Sequence, residues 1–503
     1  MVGGMIPALC AVFSLVVAGS GSTYAADTPA EKSSAEKLVS FHKDIRPILQ
    51  SRCSGCHQPA KSQGQYRVTD FASLMKAGET GQATIVPGKP EASYLIQQIA
   101  RDDKGVAEMP KGLPALSPVE IELFTNWIKQ GASDDSPQVD IRIYDRDHPP
   151  TYNRQPLVTS LDFSRDGKLL AVAGFHEALI LEGATGAIVA RLIGQSERIE
   201  TVRFSPDGSR LLVVGGNPGR SGEIQIWKAA DWSLDLSTSV TFDTLYGGSW
   251  SPDGKLVAVG GGDNSVRAFD SIIGEQVLFQ GAHSDWVRDT VFSKDGSHLL
   301  SVGRDMTTKL TEVATQRFVD NVTSITPGAL KGGMQALARH PERDEIIVGG
   351  SDGVARVYRI FRITNRVIGD DANLIRKMPE LPGRIFAVSV SPDGKQFAAA
   401  SSLDGQGHWA IYDYTFDTSL PEDIKGINQK VVTSRSAEEK DKLEAYLTAG
   451  VKIIAQGTLP ENALYSLAYA SDGQALALAG ADGQVRFVNT TTGEPLRSFP
   501  VAP

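Results

Sequence analysis

One short pattern recurs along the chain after residue 157: an apolar strand, a Ser-Pro-Asp-Gly-like turn, and a second apolar strand that ends in glycine. The pattern comes seven times, and the aspartates of its turns are Asp166, Asp207, Asp253, Asp295, Asp344, Asp393 and Asp472. Neighbouring aspartates are 41 to 49 residues apart, except for the last pair, which is 79 apart. Repeats of this length are typical of four-stranded propeller blades, and Asp-Gly supplies the positive φ that a tight hairpin needs. The repeats therefore predict an all-β, seven-bladed propeller over residues 157–503.

The 79-residue interval indicates an insertion rather than an eighth blade, because residues 415–460 contain no second Asp-Gly turn followed by an alternating strand. The segment from Ser436 to Leu447 instead has the pattern of a capped, charged helix. We therefore expect a helical insertion at about 415–460, with the charged side of this helix in solvent.

Composition and charge limit the class of protein and its partners. The 503 residues are 41% hydrophobic and 22% charged, which is the balance of a folded globular protein. The formal net charge of −9 argues against nucleic acid as a partner. After the N-terminus, no apolar run reaches the roughly 20 residues that a transmembrane helix needs, so we expect no transmembrane segment in the mature chain.

The first 25 residues have the pattern of an export signal. Ala8 to Ala18 is an apolar stretch, and Thr23-Tyr24-Ala25 places small residues at the −3 and −1 positions of a cleavage site. Positive charge before the apolar stretch comes only from the terminal amine, so an uncleaved membrane anchor remains an alternative. The pattern predicts a periplasmic or otherwise exported protein.

Two of the three cysteines lie in the sequence Cys53-Ser54-Gly55-Cys56-His57, and the third, Cys10, lies in the signal. Cys-x-x-Cys-His is the attachment motif of c-type haem. Its two thiols add to the haem vinyl groups, and its histidine becomes an axial ligand of the iron. The motif therefore predicts one covalent haem c, held by Cys53 and Cys56, with His57 on the iron.

The second axial ligand of the iron should come from later in the same domain or from its first helix. Met109 is our prediction, because it lies in a loop and is followed by Pro110 and then Gly112. Met75 lies in an apolar helical stretch, where core packing is the more usual role of methionine. His42, on the predicted first helix, is the remaining alternative.

The residues around this motif have the pattern of a small all-α domain over residues 38–133. We predict helices over residues 41–49, with Asp44 as a cap, and over residues 90–99. The clearest helix begins with Ser117-Pro118, contains Glu120 in a capping box, and ends at Gly131. Trp127 lies on its apolar side and is expected in the core near the haem edge. Residues 134–156 are predicted to be a linker with one short strand at residues 139–144.

Residues 40–132 resemble the planctomycete-type cytochrome c domain. The matching pieces are Phe41…Asp44-Ile45-Arg46-Pro47-Ile48-Leu49, Cys53…Cys56-His57, Val86-Pro87-Gly88-Lys89-Pro90, Met109-Pro110 and Leu116-Ser117…Ile121…Trp127-Ile128…Gly131-Ala132. The resemblance implies thioether bonds at Cys53 and Cys56 and axial ligation by His57 and Met109. Lys111 stands where such domains often carry another proline.

The repeats resemble the WD-repeat β-propeller. The family's Trp-Asp pair appears as Phe269-Asp270 and Tyr412-Asp413, and less closely as Trp227-Lys228. His283, Ser301 and Asp305 match three members of the family's structural hydrogen-bond tetrad, and the turn acids Asp263, Asp352 and Asp482 are expected to tie turns together. These residues are therefore interpreted as structural.

Three functions are compatible with these patterns. The first is an exported electron-transfer cytochrome that meets a redox partner protein and uses its propeller as a platform for other proteins. The second is a haem-containing oxidoreductase whose propeller holds a substrate or a second cofactor. The third is a haem-based sensor or scaffold. We favour the first, a non-enzymatic electron carrier, because it needs only the motifs that are present.

Overall fold

The computed structural model describes residues 38–59, 61–136, 144–325, 330–367 and 370–502. The predicted signal peptide and most of the strand predicted at residues 139–144 lie outside the described residues. Within the described residues, no helix is both long enough and apolar enough to cross a membrane.

The N-terminal domain is a small bundle of short helices. Its α-helices are α1 (Arg46–Arg52), α2 (Phe71–Leu74), α3 (Tyr94–Ile99) and α4 (Pro118–Lys129). A π-helical turn (Phe41–Ile45) precedes α1, and 3-10 turns occupy Gln63–Gln65 and Pro90–Ala92. Two short strands, β1 (His57–Gln58) and β2 (Lys61–Ser62), pair antiparallel directly after the cysteine motif. Among its described residues, the regular secondary structure is thus helical apart from this one small ladder, and loops such as residues 75–89 and 100–117 connect the elements.

Two predicted helices differ in detail from the sequence-based expectation. The first begins one turn earlier than Asp44 would allow as a cap, because the Ser40 hydroxyl accepts a hydrogen bond from the Lys43 amide at 2.9 Å. The Asp44 carboxylate instead accepts a hydrogen bond from the Ser40 amide. The helix predicted over residues 90–99 is divided at Ser93, which is extended because its buried hydroxyl holds the backbone of Val86.

The last helix of this domain forms as predicted and supplies much of its core. Ser117 and Glu120 form the capping box at the N-terminus of α4. Phe124, Trp127 and Ile128 on its inner side are buried. The Trp127 ring stacks on Phe41, with ring centroids 5.4 Å apart. This core packs α4 against the segment that leads into the cysteine motif.

The rest of the chain forms seven four-stranded antiparallel sheets, which confirms the predicted number of blades. Blade 1 contains β3 (Leu161–Phe163), β4 (Leu169–Ala173), β5 (Ala178–Glu182) and β6 (Ile188–Leu192). Blade 2 contains β7 (Arg198–Phe204), β8 (Arg210–Asn217), β9 (Ser221–Lys228) and β10 (Leu234–Thr241). Blade 3 contains β11 (Leu245–Trp250), β12 (Leu256–Gly261), β13 (Val266–Asp270) and β14 (Gln276–Gln280). Blade 4 contains β15 (Val287–Phe292), β16 (His298–Gly303), β17 (Thr308–Glu312) and β18 (Phe318–Asn321).

The last three blades follow the same order from the inner to the outer strand. Blade 5 contains β19 (Met334–Arg339), β20 (Glu345–Gly350), β21 (Arg356–Arg359) and β22 (Leu374–Lys377). Blade 6 contains β23 (Arg384–Val390), β24 (Gln396–Leu403), β25 (Gln406–Asp413) and β26 (Ile453–Leu459). Blade 7 contains β27 (Leu464–Tyr469), β28 (Ala475–Gly480), β29 (Gln484–Asn489) and β30 (Pro495–Pro500).

The ring closes where blade 7 meets blade 1. The Val158 amide donates to the Gly480 carbonyl at 3.0 Å, and the Gln155 side chain exchanges hydrogen bonds with the Ala502 backbone. Leu161 of blade 1 and Phe487 of blade 7 share one buried apolar cluster. The C-terminal strand β30 is the outer strand of blade 7, so every blade is built from one continuous segment.

The insertion in blade 6 lies between its third and outer strands. It contains the helices α5 (Glu422–Asn428) and α6 (Ala437–Thr448), and α6 has the predicted cap at Ser436. The outer strand β26 falls inside the predicted range of 415–460, so the insertion ends earlier than expected. Ile427 and Leu447 pack into an apolar cluster that blades 4 and 5 share, and α6 lies against β22, so the insertion covers the outer part of blade 5.

The residues assigned to structural roles make the expected contacts. His283 contacts the Asp305 carboxylate at 3.0 Å through Nδ1 and the Ser301 hydroxyl at 2.8 Å through Nε2. Each predicted turn acid forms an ion pair with the arginine four residues later; the pairs are Asp263–Arg267, Asp352–Arg356 and Asp482–Arg486. These side chains therefore fasten turns.

Candidate haem site

The cysteine motif begins at the C-terminus of α1 and coils back on itself. Cys53 is the C-cap of α1, and its amide donates to the Leu49 carbonyl. The amides of Cys56 and His57 both donate to the Cys53 carbonyl at 3.1 Å. These bonds turn the chain so that both thiols and the imidazole reach the same cavity. We call residues 53–59 the attachment segment.

The cavity lies wholly within the N-terminal domain. It brings together Cys53, Cys56, His57 and Met109, the four residues predicted to hold a haem. The remaining residues that line it are Arg52, Gln63, Gly64, Tyr66, Val68, Gly78, Glu79, Thr80, Thr84, Tyr94, Leu95, Gln98, Ile99, Pro110, Lys111, Leu113 and Leu116. Most of the exposed wall is apolar, as a porphyrin ring requires.

The His57 ring is oriented by a backbone carbonyl. Its Nδ1 lies 3.0 Å from the Gln63 carbonyl oxygen, which can only accept a hydrogen bond. Nδ1 must therefore carry the proton, and Nε2 keeps the lone pair that an iron ligand needs. Burial lowers the pKa of His57, which also favours the neutral ring. The Tyr66 ring meets the imidazole edge to face, with centroids 5.6 Å apart.

Met109 reaches the cavity from the loop before α4. The Met109 amide donates to the Gln98 carbonyl at 2.9 Å, which ties this loop to α3. Met75 is the C-cap of α2 and packs against the apolar core instead, and His42 lies in the π-helical turn. Neither of these alternatives lines the cavity described above.

Both cysteines are free thiols and are half-buried. Burial raises the pKa of the Cys53 thiol to about 12. The donor set fits a c-type haem, because two unpaired thiols, one imidazole with a free Nε2 and one thioether face one apolar cavity. Trp127 lies in the core, as expected, and does not line the cavity.

Sequence reasoning missed the residues that orient the site. Gln63 acts through its backbone carbonyl, so its side-chain type carries no signal. Tyr66 is held by a hydrogen bond from its hydroxyl to the Leu74 carbonyl at 2.8 Å, a contact that local patterns do not report. Both follow the motif within ten residues, and this proximity is the only signal that could have pointed to them.

The comparisons agree with this division of the chain. Residues 53–112 match the family model described as "Planctomycete cytochrome C". Residues 186–228, 238–270 and 274–311 match the model described as "WD domain, G-beta repeat".

Similarity to curated proteins extends over about half of the chain. "Eukaryotic translation initiation factor 3 subunit I" of Aspergillus oryzae is 25% identical over 270 residues, which are 50% of this chain and 77% of that protein. The protein of the same name from Coccidioides immitis is 26% identical over 273 residues, 49% of this chain and 77% of its own length. The one from Kluyveromyces lactis is 24% identical over 237 residues, 43% of this chain and 65% of its own length.

Alignments of this length are longer than the whole N-terminal domain, so these similarities must include much of the propeller. The two family matches agree with the structure, in which a small domain with one cavity precedes seven four-stranded sheets. The chain carries a planctomycete cytochrome c domain followed by WD40 repeats that form a seven-bladed propeller.

Proposed function

We propose that this protein is an exported c-type cytochrome that transfers electrons through one covalent haem and docks on other proteins through its propeller. The observation that carries the proposal is the convergence of Cys53, Cys56, His57 and Met109 on one cavity. Export is proposed from the apolar stretch and the small residues of the first 25 positions.

The residues of the cavity have separate tasks. Cys53 and Cys56 would form the thioether bonds, and His57 Nε2 and the Met109 sulfur would bind the iron. The bound haem supplies one-electron oxidation and reduction. The Gln63 carbonyl keeps the proton on Nδ1 of the imidazole, and the apolar side chains of Val68, Leu95 and Leu116 would shield a bound haem from water.

The residues that line the cavity favour the carrier function over an oxidoreductase. All the described residues that line the cavity belong to residues 52–116. A substrate held on the propeller would therefore lie outside the haem cavity. Similarity to proteins that are named as components of a multi-protein initiation factor supports the use of the propeller for assembly with other proteins.

The test is to produce the full chain in a host with haem-attachment machinery. We expect a mass increase of one haem that survives acid–acetone extraction, and a reversible one-electron titration. Free thiols at Cys53 and Cys56 without haem would contradict the proposal. Reduction of the haem by a small substrate, with no other protein present, would favour the oxidoreductase instead.

A further inference from the structure

The attachment segment lies against the outer strand of blade 2. A methyl group built on Gly55 would overlap the carbonyl oxygen of Ser237, in the middle of β10. The φ angle of Gly55 is outside the left-handed region, so its backbone conformation does not require glycine. The close approach of the propeller explains why glycine stands at this position of the motif.

Polar contacts on either side of Gly55 also join the N-terminal domain to blade 2. The Gln195 side-chain amide nitrogen donates to the Ser54 carbonyl at 3.4 Å, and the Lys61 ammonium donates to the Asp235 carbonyl. Both carbonyls belong to the edge strand β10 and both meet the N-terminal domain, so they lie on the free edge of the sheet. The N-terminal domain thus covers part of an edge that would otherwise expose unpaired carbonyls.

The propeller side of this contact is held by one buried carboxylate. Glu223 on β9 is 2% exposed and accepts hydrogen bonds from the Ser237 and Ser196 hydroxyls at 2.6 and 2.7 Å. The Gln225 side chain and the Gln195 backbone amide also donate to it. Gln195 and Ser237, which contact the attachment segment, are therefore fixed by the same side chain. A buried network in which every donor is satisfied is rigid.

We propose that blade 2 covers the attachment segment behind the haem cavity, limits the access of water to it, and so helps to set the reduction potential of the haem. Gly55 is the residue that permits the contact, and Glu223 positions the surface that makes it. This inference rests on the proposed haem function for its redox consequence, but the docking itself does not depend on haem.

The expected effect on potential follows from the charge of the iron. The ferric haem carries one more positive charge than the ferrous haem, and water stabilises the more highly charged form. Burial and solvent access are among the means by which a protein tunes haem potential. Release of the attachment segment from blade 2 should therefore lower the potential.

The first variant is Gly55→Ala in the full chain, with Gly426→Ala as the matched control. Gly426 is also outside the left-handed region and has open space at its Cβ position. Small-angle X-ray scattering should show a larger maximum dimension for Gly55→Ala, and hydrogen exchange should show less protection in residues 234–241. Its potential should fall, while Gly426→Ala should match the unchanged protein in all three measurements.

A second variant avoids the added methyl group, in case alanine at position 55 hinders haem attachment. Lys61→Ala combined with Gln195→Ala removes polar contacts from both sides of Gly55 and should shift the same measurements in the same directions. If both variants keep the scattering curve and the potential of the unchanged protein, the proposal is wrong. A lower potential without a change in scattering would place the effect inside the N-terminal domain and would also overturn it.

A different result would show that the proposed haem function, and not the contact with blade 2, is wrong. If the unchanged protein attaches no haem, its absorption spectrum shows this directly. Scattering and hydrogen exchange of the haem-free chain would still show whether Gly55 holds the two domains together.

Discussion

The serine hydroxyl of each Ser-x-Asp-Gly turn makes the same pair of contacts in blade after blade. In blade 2, Ser205 donates to the Asp207 carboxylate at 2.6 Å and accepts from the Arg210 amide at 2.9 Å. Gly208, with φ of 74°, completes the turn. In the degenerate copy of blade 5, Nδ1 of His340 instead accepts from the amides of Glu342 and Arg343, inside the turn. In blade 7 the serine position holds Ala470, yet the Gly473 amide still donates to the Ala470 carbonyl at 2.8 Å. The turn therefore survives the loss of the motif, because its backbone hydrogen bond does not depend on the serine hydroxyl.

Replacement of Met109 tests the proposed iron ligand. Thioether sulfur favours ferrous iron, so Met109→Ala should lower the reduction potential and open the sixth coordination position to water, CO or cyanide. The covalent haem and the propeller should be unchanged. Potentiometry and the sulfur-to-iron charge-transfer band measure these effects.

Met75→Ala is the matched control for this substitution, because Met75 packs in the core of the same domain without lining the cavity. It should keep the charge-transfer band and lose some stability. If Met75→Ala abolishes the band and Met109→Ala keeps it, the ligand is Met75. If neither substitution changes the band, His42→Ala becomes the decisive variant.

The contact between His283 and Asp305 predicts a loss of stability in acid. Burial alone would raise the pKa of Asp305, but the hydrogen bond and charge of His283 outweigh it and lower the pKa to about 2. The ionised form is thus favoured in the folded state, so this stabilisation is present above about pH 4 and is lost as the pH falls towards 2.

Asp305→Asn should therefore lower the free energy of unfolding at pH 5 by about 1–3 kcal/mol and by less at pH 2.5. Urea titrations at both pH values measure the difference. Equal losses at both pH values would show that the charge of Asp305 is not responsible.

At the residue scale, local chemistry made most of the site predictable. Cys53, Cys56 and His57 are members of one short motif, and Met109 stood out because it lies in a loop and is followed by a proline. The orientation of His57 could not be predicted, because it depends on the backbone carbonyl of Gln63. The reason for glycine at position 55 lies in another domain.

At the scale of the element, the insertion of blade 6 behaves as a cover for blade 5. Arg376 of the outer strand β22 is buried and donates to the carbonyls of Ala449 and Asp417, at the two ends of the insertion. The guanidinium also lies 4.5 Å from the centre of the Tyr446 ring. The insertion thereby protects an outer strand that would otherwise be open to pairing with another chain.

A pair of neighbouring substitutions on α5 tests this packing. Ile427→Ala removes a side chain that is 5% exposed and should cost about 2–4 kcal/mol of unfolding free energy. Gly426→Ala, on the exposed side of the same helix, should be neutral or stabilise by up to about 1 kcal/mol. Equal effects of the two substitutions in urea unfolding would mean that α5 does not pack on blade 5.

The sequence predicted the helices of the insertion and of residues 90–99, but it did not predict what these helices pack against. The cap at Ser436 and the charged face of α6 identified a helix, because capping is a local property. The packing of Ile427 against blade 5 joins residues that are far apart in sequence, and no local pattern reports it. The division of the helix predicted at residues 90–99 likewise depends on the contact between Ser93 and Val86.

At the scale of the whole molecule, half-buried aspartates connect neighbouring blades. The Asp162 carboxylate of blade 1 accepts from the Phe204 amide of blade 2 at 2.6 Å, and Asp289 of blade 4 accepts from the Leu337 amide of blade 5 at 2.9 Å. Burial raises the pKa of both to about 6, although Arg203 acts in the opposite direction. These carboxyls therefore hold a proton up to a higher pH in the folded protein than in the unfolded chain.

The sign of this pH dependence is opposite to that of Asp305. Because the folded-state pKa of Asp289 is raised, its stabilising contribution is complete below about pH 4 and is lost as the pH rises through about 6. Asp289→Asn should reduce this decline by up to about 3 kcal/mol, measured by urea unfolding at pH 4 and pH 7. An unchanged decline would show that Asp289 does not titrate in this range.

The number of blades could be predicted because each repeat carries its own turn, whereas the docking of the two domains could not. Gly55 and Ser237 are 182 positions apart, and neither residue type is unusual in its own surroundings. The contact becomes visible only when the attachment segment and β10 are placed together.

The way in which the ring closes has a consequence for how such a chain can be rearranged. No sheet among the described strands takes members from both ends of the propeller, and the Gln155 side chain bonds to the Ala502 backbone across the join. The join between blades 7 and 1 is therefore equivalent in kind to the boundary between any two blades. A circularly permuted gene, with residues 157 and 502 linked and new termini between blades 3 and 4, should yield the same ring. The N-terminal domain could then be joined to the ring at a different place in the sequence, while its contact with blade 2 stays the same.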